Sequence, residues 1–174
     1  MWCPANAEQA AYADIARGVA EFESLDYPAG REAAAWLKEE ALASHPYTLT
    51  YLHALEGRVE GFFAIASSAV TLTQGDRQEL ESDHENHPLK PTQGASLVVW
   101  VAKHRDAGTP GDKILSYAAS IALEVAQLQG TLAFVVDPFD DETKAMWKDR
   151  YGFRPSDTKV GKGQRRLWVP LRSV

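Results

Sequence analysis

The sequence has few of the features that mark secreted, membrane or metal-binding proteins. Its 174 residues include one cysteine, Cys3, which can form neither an internal disulfide nor a cysteine-based zinc site. The five histidines have no paired spacing on one helix, so we expect no metal. The longest apolar run, residues 95–102, is far shorter than the roughly 20 residues of a membrane-spanning helix, and the first residues do not resemble a signal peptide. We therefore expect a cytoplasmic protein that has no contact with a membrane.

The sequence also has no basic excess. Its formal net charge is -6, from 18 Lys and Arg against 24 Asp and Glu. Residues 1–153 hold 12 basic and 23 acidic side chains, whereas residues 154–174 hold six basic and one acidic. Because Lys and Arg supply most of a protein's affinity for phosphates, the acidic body argues against an extended nucleic-acid site. The basic C-terminal segment is interpreted as a solvated hairpin, with a local basic patch as the alternative.

A composition of 45% hydrophobic and 24% charged residues, without repeats or linkers, is typical of one globular domain, here residues 1–174. Hydrophobic periodicity predicts alternating helices and strands. In chain order these are a helix at 5–17, a strand at 19–24, a helix at 33–44, a hairpin at 47–55 and 59–72, a solvated helical turn or loop at 76–87, a buried strand at 95–102, a helix at 114–128, a buried strand at 131–136, a helix at 140–150 and a final hairpin. The order indicates an α/β fold with a mixed sheet, and the strand–helix–strand unit at 95–136 predicts two parallel neighbouring strands.

The connection at residues 103–112 is rich in glycine and contains Pro110 where the next helix begins. The first N–H groups of a helix favour an anion such as phosphate or pyrophosphate, and glycine lets the backbone approach it closely. Glycine-rich turns before helices also have a purely structural role. The connection alone therefore leaves an anion site and a structural turn as alternatives.

Taken together, several segments resemble the GNAT acyltransferases. Val99-Trp100-Val101 aligns with the family's central strand, residues 103–112 with its pyrophosphate-binding loop, and residues 111–115 with the start of its helix. Further segments that resemble the family, or its branch of toxin-like acetyltransferases, are residues 21–24, 36–41, 57–64, 132–137, 140–147 and 150–154. The resemblance covers residues 19–171. It implies a mixed, mostly antiparallel sheet with a splayed parallel strand pair and flanking helices.

The resemblance implies a reaction in which acetyl-CoA is the co-substrate. A primary amine of a small molecule or a peptide would attack the thioester directly, and the N–H of Val101 would hold the oxyanion. The cofactor-binding residues that it implies are Val99, Val101, Arg105, Ala107, Gly108, Thr109, Gly111 and Asp112. The general base is left open among Ser96, His53 and His104. Exposed strand edges in this fold often pair, so a homodimer is an alternative to a monomer.

The loop departs from the usual family pattern, which is Gln or Arg, two residues, Gly, one residue, and Gly or Ala. Here it is Asp106-Ala107-Gly108-Thr109-Pro110-Gly111, in which only Gly111 is in register. Asp106 places a negative charge where phosphates bind, and Pro110 removes an amide donor. Arg105 and Gly108, each one position out of register, would offset these changes if the turn is rebuilt.

A second departure is Trp147, at the position where many members have a tyrosine that protonates the departing thiolate. An indole N–H donates a hydrogen bond but cannot act as a general acid. Trp147 is then either a packed aromatic or a functional residue, and Tyr117 and Tyr151 are weak candidates to replace the tyrosine. Three hypotheses follow: a slow N-acetyltransferase, a toxin-like acetyltransferase of aminoacyl-tRNA, and an acyl-CoA-binding module without turnover.

Overall fold

A computed structural model describes residues 2–4, 13–41, 47–82, 88–161 and 164–171. Its elements are, in chain order, β1 (Trp2–Pro4), α1 (Ala13–Ala20), α2 (Pro28–Glu39), β2 (Thr48–Leu55), β3 (Arg58–Thr71), α3 (Gln74–Ser82), β4 (Thr92–Lys103), α4 (Gly111–Gln129), β5 (Ala133–Val136), α5 (Asp141–Tyr151), β6 (Arg154–Lys159) and β7 (Arg165–Pro170). The strand order is β1-β2-β3-β4-β5-β7-β6. The predicted α/β fold with a mixed sheet is confirmed.

The chain divides into two compact units, and each takes one part of β3 and of β4. The first unit comprises Met1–Ala66 and Val98–Ser120, and the second comprises Ser67–Leu97 and Ile121–Val174. The expectation of a single domain over residues 1–174 stays a prediction. No helix in the described ranges is long and apolar enough to cross a membrane.

In the first unit, β2 and β3 form the predicted hairpin, with Leu52 opposite Phe62. The two-residue turn has φ of 52° at Glu56 and 77° at Gly57, and two positive φ values are typical of the type I′ turn that closes hairpins. One face of this hairpin is covered by α1 and α2. The buried residues of this core are Val19, Phe22, Ala33, Leu37, Ala41, Leu52, Val59, Phe62 and Ala102.

Gly61 on β3 sets how closely α4 approaches the hairpin. A Cβ at this position would overlap the side chain of Ile114, in the first turn of α4, and would lie 3.1 Å from the carbonyl oxygen of Ala102. Ile114 and Ala118 are buried, as the helical spacing predicts. The missing side chain at residue 61 therefore lets the start of α4 pack directly on β3.

In the second unit, β7 lies between β5 and β6 and is antiparallel to both. The N–H of Leu132, just before β5, donates to the carbonyl of Gly94 near the start of β4. Since both strands begin at the same end and α4 connects them, they run parallel, as predicted. The buried core of this unit is Val70, Leu72, Leu80, Ala95, Ala133, Val135 and Trp168.

Two local predictions are wrong. The segment 19–24 is not a strand, because Val19 lies in α1 and Ser24 forms only an isolated bridge with His104. The strand was predicted from the alternation of apolar and acidic residues in Ala20-Glu21-Phe22-Glu23, whereas the buried residues Val19 and Phe22 are three residues apart, which is the spacing of a helix. Leu128, expected on the buried stripe of α4, is 87% exposed, because the last turn of the helix extends past the core. The predicted helix at 5–17 lies partly outside the described residues.

Three arginines of the basic C-terminal segment, Arg154, Arg165 and Arg166, form ion pairs. Arg166 makes a bidentate pair with Asp137, at 2.7 Å for each bond, and also donates to the hydroxyl of Ser68 and the carbonyl of Ala69. Arg165 pairs with Asp157 at 3.3 Å. Arg154 likewise pairs with Asp76 and Glu79 and lies over the Trp168 ring. The hairpin itself is confirmed, and three of the six basic side chains of the segment are ion-paired. Lys162 and Arg172 lie outside the described residues.

We predict that Arg166→Ala destabilises the protein by about 2–4 kcal/mol, because it leaves the Asp137 carboxylate and two acceptors without their donor. Arg165→Ala is the matched control. The side chain of Arg166 is 11% exposed and that of Arg165 is 54% exposed, so the control should cost less than about 1 kcal/mol. Urea unfolding measures both, and equal losses would contradict the prediction.

Candidate functional site

The residues that the sequence assigned to acetyl-CoA binding lie together in the first unit. Val99 and Val101 are half-buried on β4, and the residues from Arg105 to Asp112 form the loop that follows β4 and the first turn of α4. A Cβ added to Gly108 or Gly111 would meet nothing within 4 Å in the described part of the chain. Both glycines therefore border open space at the start of α4.

Glu60 on β3, which sequence reasoning missed, holds this loop in place. Its side chain is buried, with the residue 3% exposed. Its Oε2 accepts the N–H of Thr109 at 3.2 Å and the Thr109 hydroxyl at 2.8 Å, and its Oε1 accepts from Arg58 at 2.6 Å. The carbonyl of Glu60 also accepts the N–H of His104 at 2.8 Å. One residue thus fixes both ends of the loop.

Most amide donors of the loop already have acceptors within the first unit. The N–H of Asp106 donates to Nδ1 of His104 at 3.1 Å, and the N–H of Ala107 donates to the carbonyl of His104 at 3.0 Å. With the amide of Thr109 bound to Glu60 and no N–H at Pro110, these positions offer no donor to a phosphate. The N–H groups of Gly108 and Gly111 have no acceptor among the described residues. An anion at this loop would therefore bind at the two glycines.

The sequence predicts that Arg105 helps to offset the negative charge of Asp106 at the phosphates. The charges around the loop are arranged differently in the structure. The guanidinium of Arg105 lies 2.7 Å from Glu23 and 3.7 Å from Asp106, so it is shared between two exposed carboxylates. Lys103 donates to the carbonyl of Ala107 at 3.2 Å. Arg58 reaches the carbonyl of Asp106 at 3.4 Å. Three cations therefore surround the loop, and each already has a partner there.

Of the three candidate bases, His53 on β2 lies at the loop, where it contacts Thr109. Ser96 is buried in the part of β4 that belongs to the second unit, and His104 is buried with its Nδ1 accepting from Asp106 and its ring against Phe22. Nδ1 of His53 lies 3.3 Å from the Thr109 hydroxyl. Burial lowers the pKa of His53 below its usual value, which favours the neutral imidazole.

The aromatic candidates have packing contacts. Tyr117 on α4 is half-buried, with its ring centroid 6.0 Å from that of Phe63. In the second unit, Trp147 is 6% exposed, and its ring lies 5.1 Å from Phe153 and 5.4 Å from Tyr151. These contacts fit the interpretation of Trp147 as a packed aromatic at the end of α5.

Several solved structures, toxins among them, share this fold. AtaT complexed with acetyl-methionyl-tRNAfMet is 16% identical, with a TM-score of 0.65 over 87% of this chain and 86% of that one. A tyrosine-to-phenylalanine mutant of KacT is also 16% identical, with a TM-score of 0.67 over 91% of both chains. A structure described as a bacterial toxin is 13% identical, with a TM-score of 0.68 over 98% of this chain and 90% of that one. No family model and no curated protein matches the sequence.

At these identities the similarity shows the fold alone, and it confirms the GNAT fold that the sequence resembles. An AtaT mutant was also solved with acetyl-CoA and the C-terminus of the antitoxin AtaR, and KacTA with DNA. Because these neighbours were solved with tRNA or DNA, they give no support to the expectation that nucleic acid is not bound.

We predict that Glu60 makes stability depend on pH in the acid range. The hydrogen bond from Arg58, followed by that from Thr109, lowers the pKa of Glu60 from 4.5 to about 2. Since this folded-state pKa lies below the unfolded one, the ionised carboxylate stabilises the fold above pH 4.5, and this stabilisation is lost as the pH falls towards 2. It amounts to at most about 3 kcal/mol, less the solvent screening of the half-exposed Arg58.

The measurement is urea unfolding of the wild type and of Glu60→Gln at pH 7 and about pH 3. The stability difference between the two proteins should fall by about half at the lower pH. A difference that does not change with pH would show that the ionised carboxylate has no such role.

Proposed function

We propose that this protein is an acetyl-CoA-dependent N-acetyltransferase that transfers the acetyl group to a primary amine by direct attack, without a tyrosine general acid. The observation that carries the proposal is the loop between β4 and α4. It places two glycines beside open space at a helix start, in a fold shared with an AtaT mutant that was solved with acetyl-CoA.

In this proposal the phosphates of acetyl-CoA bind at Gly108, Gly111 and the first turn of α4, where the helix dipole favours negative charge. Ala107 and Thr109 contribute by shaping the loop, because their amides are already bonded. The backbone of Val99 and Val101 pairs with the pantetheine arm. Among the loop residues implied by the resemblance, Gly108 and Gly111 thus donate to the phosphates, whereas Ala107 and Thr109 support the shape of the loop.

The chemistry requires few side chains. The amine nitrogen attacks the thioester carbonyl carbon, and the N–H of Val101 stabilises the oxyanion that forms. The C–S bond then breaks, and CoA leaves as a thiolate. A thiolate whose conjugate acid has a pKa of about 8.5 is a tolerable leaving group without a general acid. The proton lost by the amine goes to solvent or to a base, for which neutral His53 is the candidate beside the loop.

We predict that Gly111→Asp weakens acetyl-CoA binding by at least about tenfold, because it adds bulk and a negative charge beside the phosphates. The matched control is Gly75→Asp, the same substitution in the first turn of α3, which should leave affinity unchanged. Calorimetry on folded variants measures both. Undiminished affinity in Gly111→Asp would exclude the loop as the binding site.

For Trp147 we predict that the wild type turns over slowly and that Trp147→Tyr releases CoA faster with a suitable amine. General acid catalysis contributes about 10²- to 10⁴-fold, and the family tyrosine at this position would supply it. Trp147→Phe is the control, since it makes a similar cavity without a hydroxyl. Equal rates in the two variants would remove Trp147 from the reaction, and acetyl-CoA binding without turnover in all three would favour the binding-module hypothesis.

Aminoacyl-tRNA is a second candidate acceptor, because AtaT was solved with acetyl-methionyl-tRNAfMet. The acidic body and the paired arginines oppose extensive phosphate contacts. We predict that Arg165→Ala leaves tRNA affinity and its salt dependence unchanged, because Arg165 is paired with Asp157. Filter binding measures this, and a large loss would show that the C-terminal segment binds tRNA. Acetylation of methionyl-tRNA, compared with free methionine and a peptide amine, distinguishes the acceptors.

A further inference from the structure

We infer that Glu60 is a positioning residue, which holds the loop at residues 104–110 in the shape that receives the phosphates of acetyl-CoA. The ligand in this statement rests on the proposed function, whereas the geometry does not. Glu60 lies 49 residues from Thr109 in sequence, outside every motif that the resemblance assigns to CoA binding. Its effect on the ligand passes through Thr109 and His104.

The two oxygens of the Glu60 carboxylate accept hydrogen bonds from different residues. Oε2 accepts both donors of Thr109, the N–H and the hydroxyl, and Oε1 accepts the guanidinium of Arg58. Arg58 itself reaches the carbonyl of Asp106 at 3.4 Å. Together with the bond from the His104 N–H to the Glu60 carbonyl, this ties the loop to β3 at three positions along its length.

Glu60 supports the loop and does not itself touch the ligand. A carboxylate in contact with phosphates would repel them, but Glu60 is buried, and Thr109, which it binds, lies between the two glycines in sequence. By binding the amide of Thr109, it fixes the peptide that follows Gly108. The N–H groups of Gly108 and Gly111 then keep a fixed spacing on either side of Pro110, which has no donor of its own.

Glutamine cannot replace this carboxylate fully. An amide has one acceptor oxygen, and its nitrogen only donates. If the oxygen of Glu60→Gln stays with Thr109, its NH₂ group faces the guanidinium of Arg58, and if it turns, the NH₂ group faces the donors of Thr109. Thr109→Val removes only the hydroxyl at nearly constant shape, and Thr109→Ser restores it.

The experiment measures acetyl-CoA affinity by calorimetry for Glu60→Gln, Thr109→Val and Thr109→Ser. We expect about tenfold weaker binding in the first two variants and near wild-type affinity in Thr109→Ser. Glu81→Gln is the matched control, because Glu81 accepts the N–H of Leu89 at 2.7 Å in the second unit and its loss should not change affinity. Wild-type affinity in both Glu60→Gln and Thr109→Val overturns the inference. Tighter binding in Glu60→Gln also overturns it, since the carboxylate would then act as a competitor of the phosphates.

Hydrogen exchange without ligand separates this inference from the proposed function. In the wild type the amides of Asp106 and Thr109 should be protected, and Glu60→Gln should speed the exchange of Thr109 by about tenfold, while Glu81→Gln leaves it unchanged. If the wild type does not bind acetyl-CoA but the exchange result holds, the proposed ligand is wrong and the loop support stands. If Thr109 exchanges equally fast in the wild type and in Glu60→Gln, the loop support is wrong, whatever the wild type binds.

Discussion

Two consecutive residues of β3, Glu60 and Gly61, determine the geometry of the loop and of the helix that follows it. Gly61 has no side chain, so Ile114 in the first turn of α4 can pack against the strand. Glu60 points a buried carboxylate at the loop and accepts both donors of Thr109. Burial of an unpaired charge would cost several kcal/mol, so Glu60 is tolerated only with Arg58 and Thr109 in place. The strand thus sets where α4 begins and how the chain reaches it.

Several polar groups of the loop then form hydrogen bonds with one another. His104 uses its N–H, its carbonyl and its ring nitrogen within the frame, and the amides of Asp106 and Ala107 bond back to it. This arrangement explains how the chain accommodates a proline and an aspartate in the usual phosphate-binding pattern. The shape of the turn is held by side chains from β3, because Arg58 and Glu60 bind Asp106 and Thr109. What remains for an anion is the pair of glycines and the start of the helix.

Local sequence signals predicted most of the fold. The hairpin at Glu56-Gly57, the buried run in β4 and the apolar stripe of α4 each contain their whole signal within about 20 residues, as periodicity and turn chemistry require. The error at residues 19–24 arose because the alternation in Ala20-Glu21-Phe22-Glu23 fits the period of a strand, although the buried Val19 and Phe22 have the spacing of a helix. Glu60 was missed for a different reason. Its partner Thr109 is far away in sequence, and an acidic residue beside an arginine reads as an ordinary surface pair until the strand pairing is known.

The charges of the C-terminal segment also pair in the folded chain in a way that the sequence does not show. Counting side chains gave a basic end on an acidic body, and that count is correct. The folded chain nevertheless places Asp137 against Arg166, Asp157 against Arg165, and Asp76 with Glu79 against Arg154. Arg166 on β7 donates to the carbonyl of Ala69 near the end of β3, so it has a structural role. An anion is attracted by the field that remains after such pairing, rather than by the number of cations in a segment. Arg166, whose side chain is 11% exposed and bound to Asp137, therefore adds less to such a field than its place in a basic segment suggests.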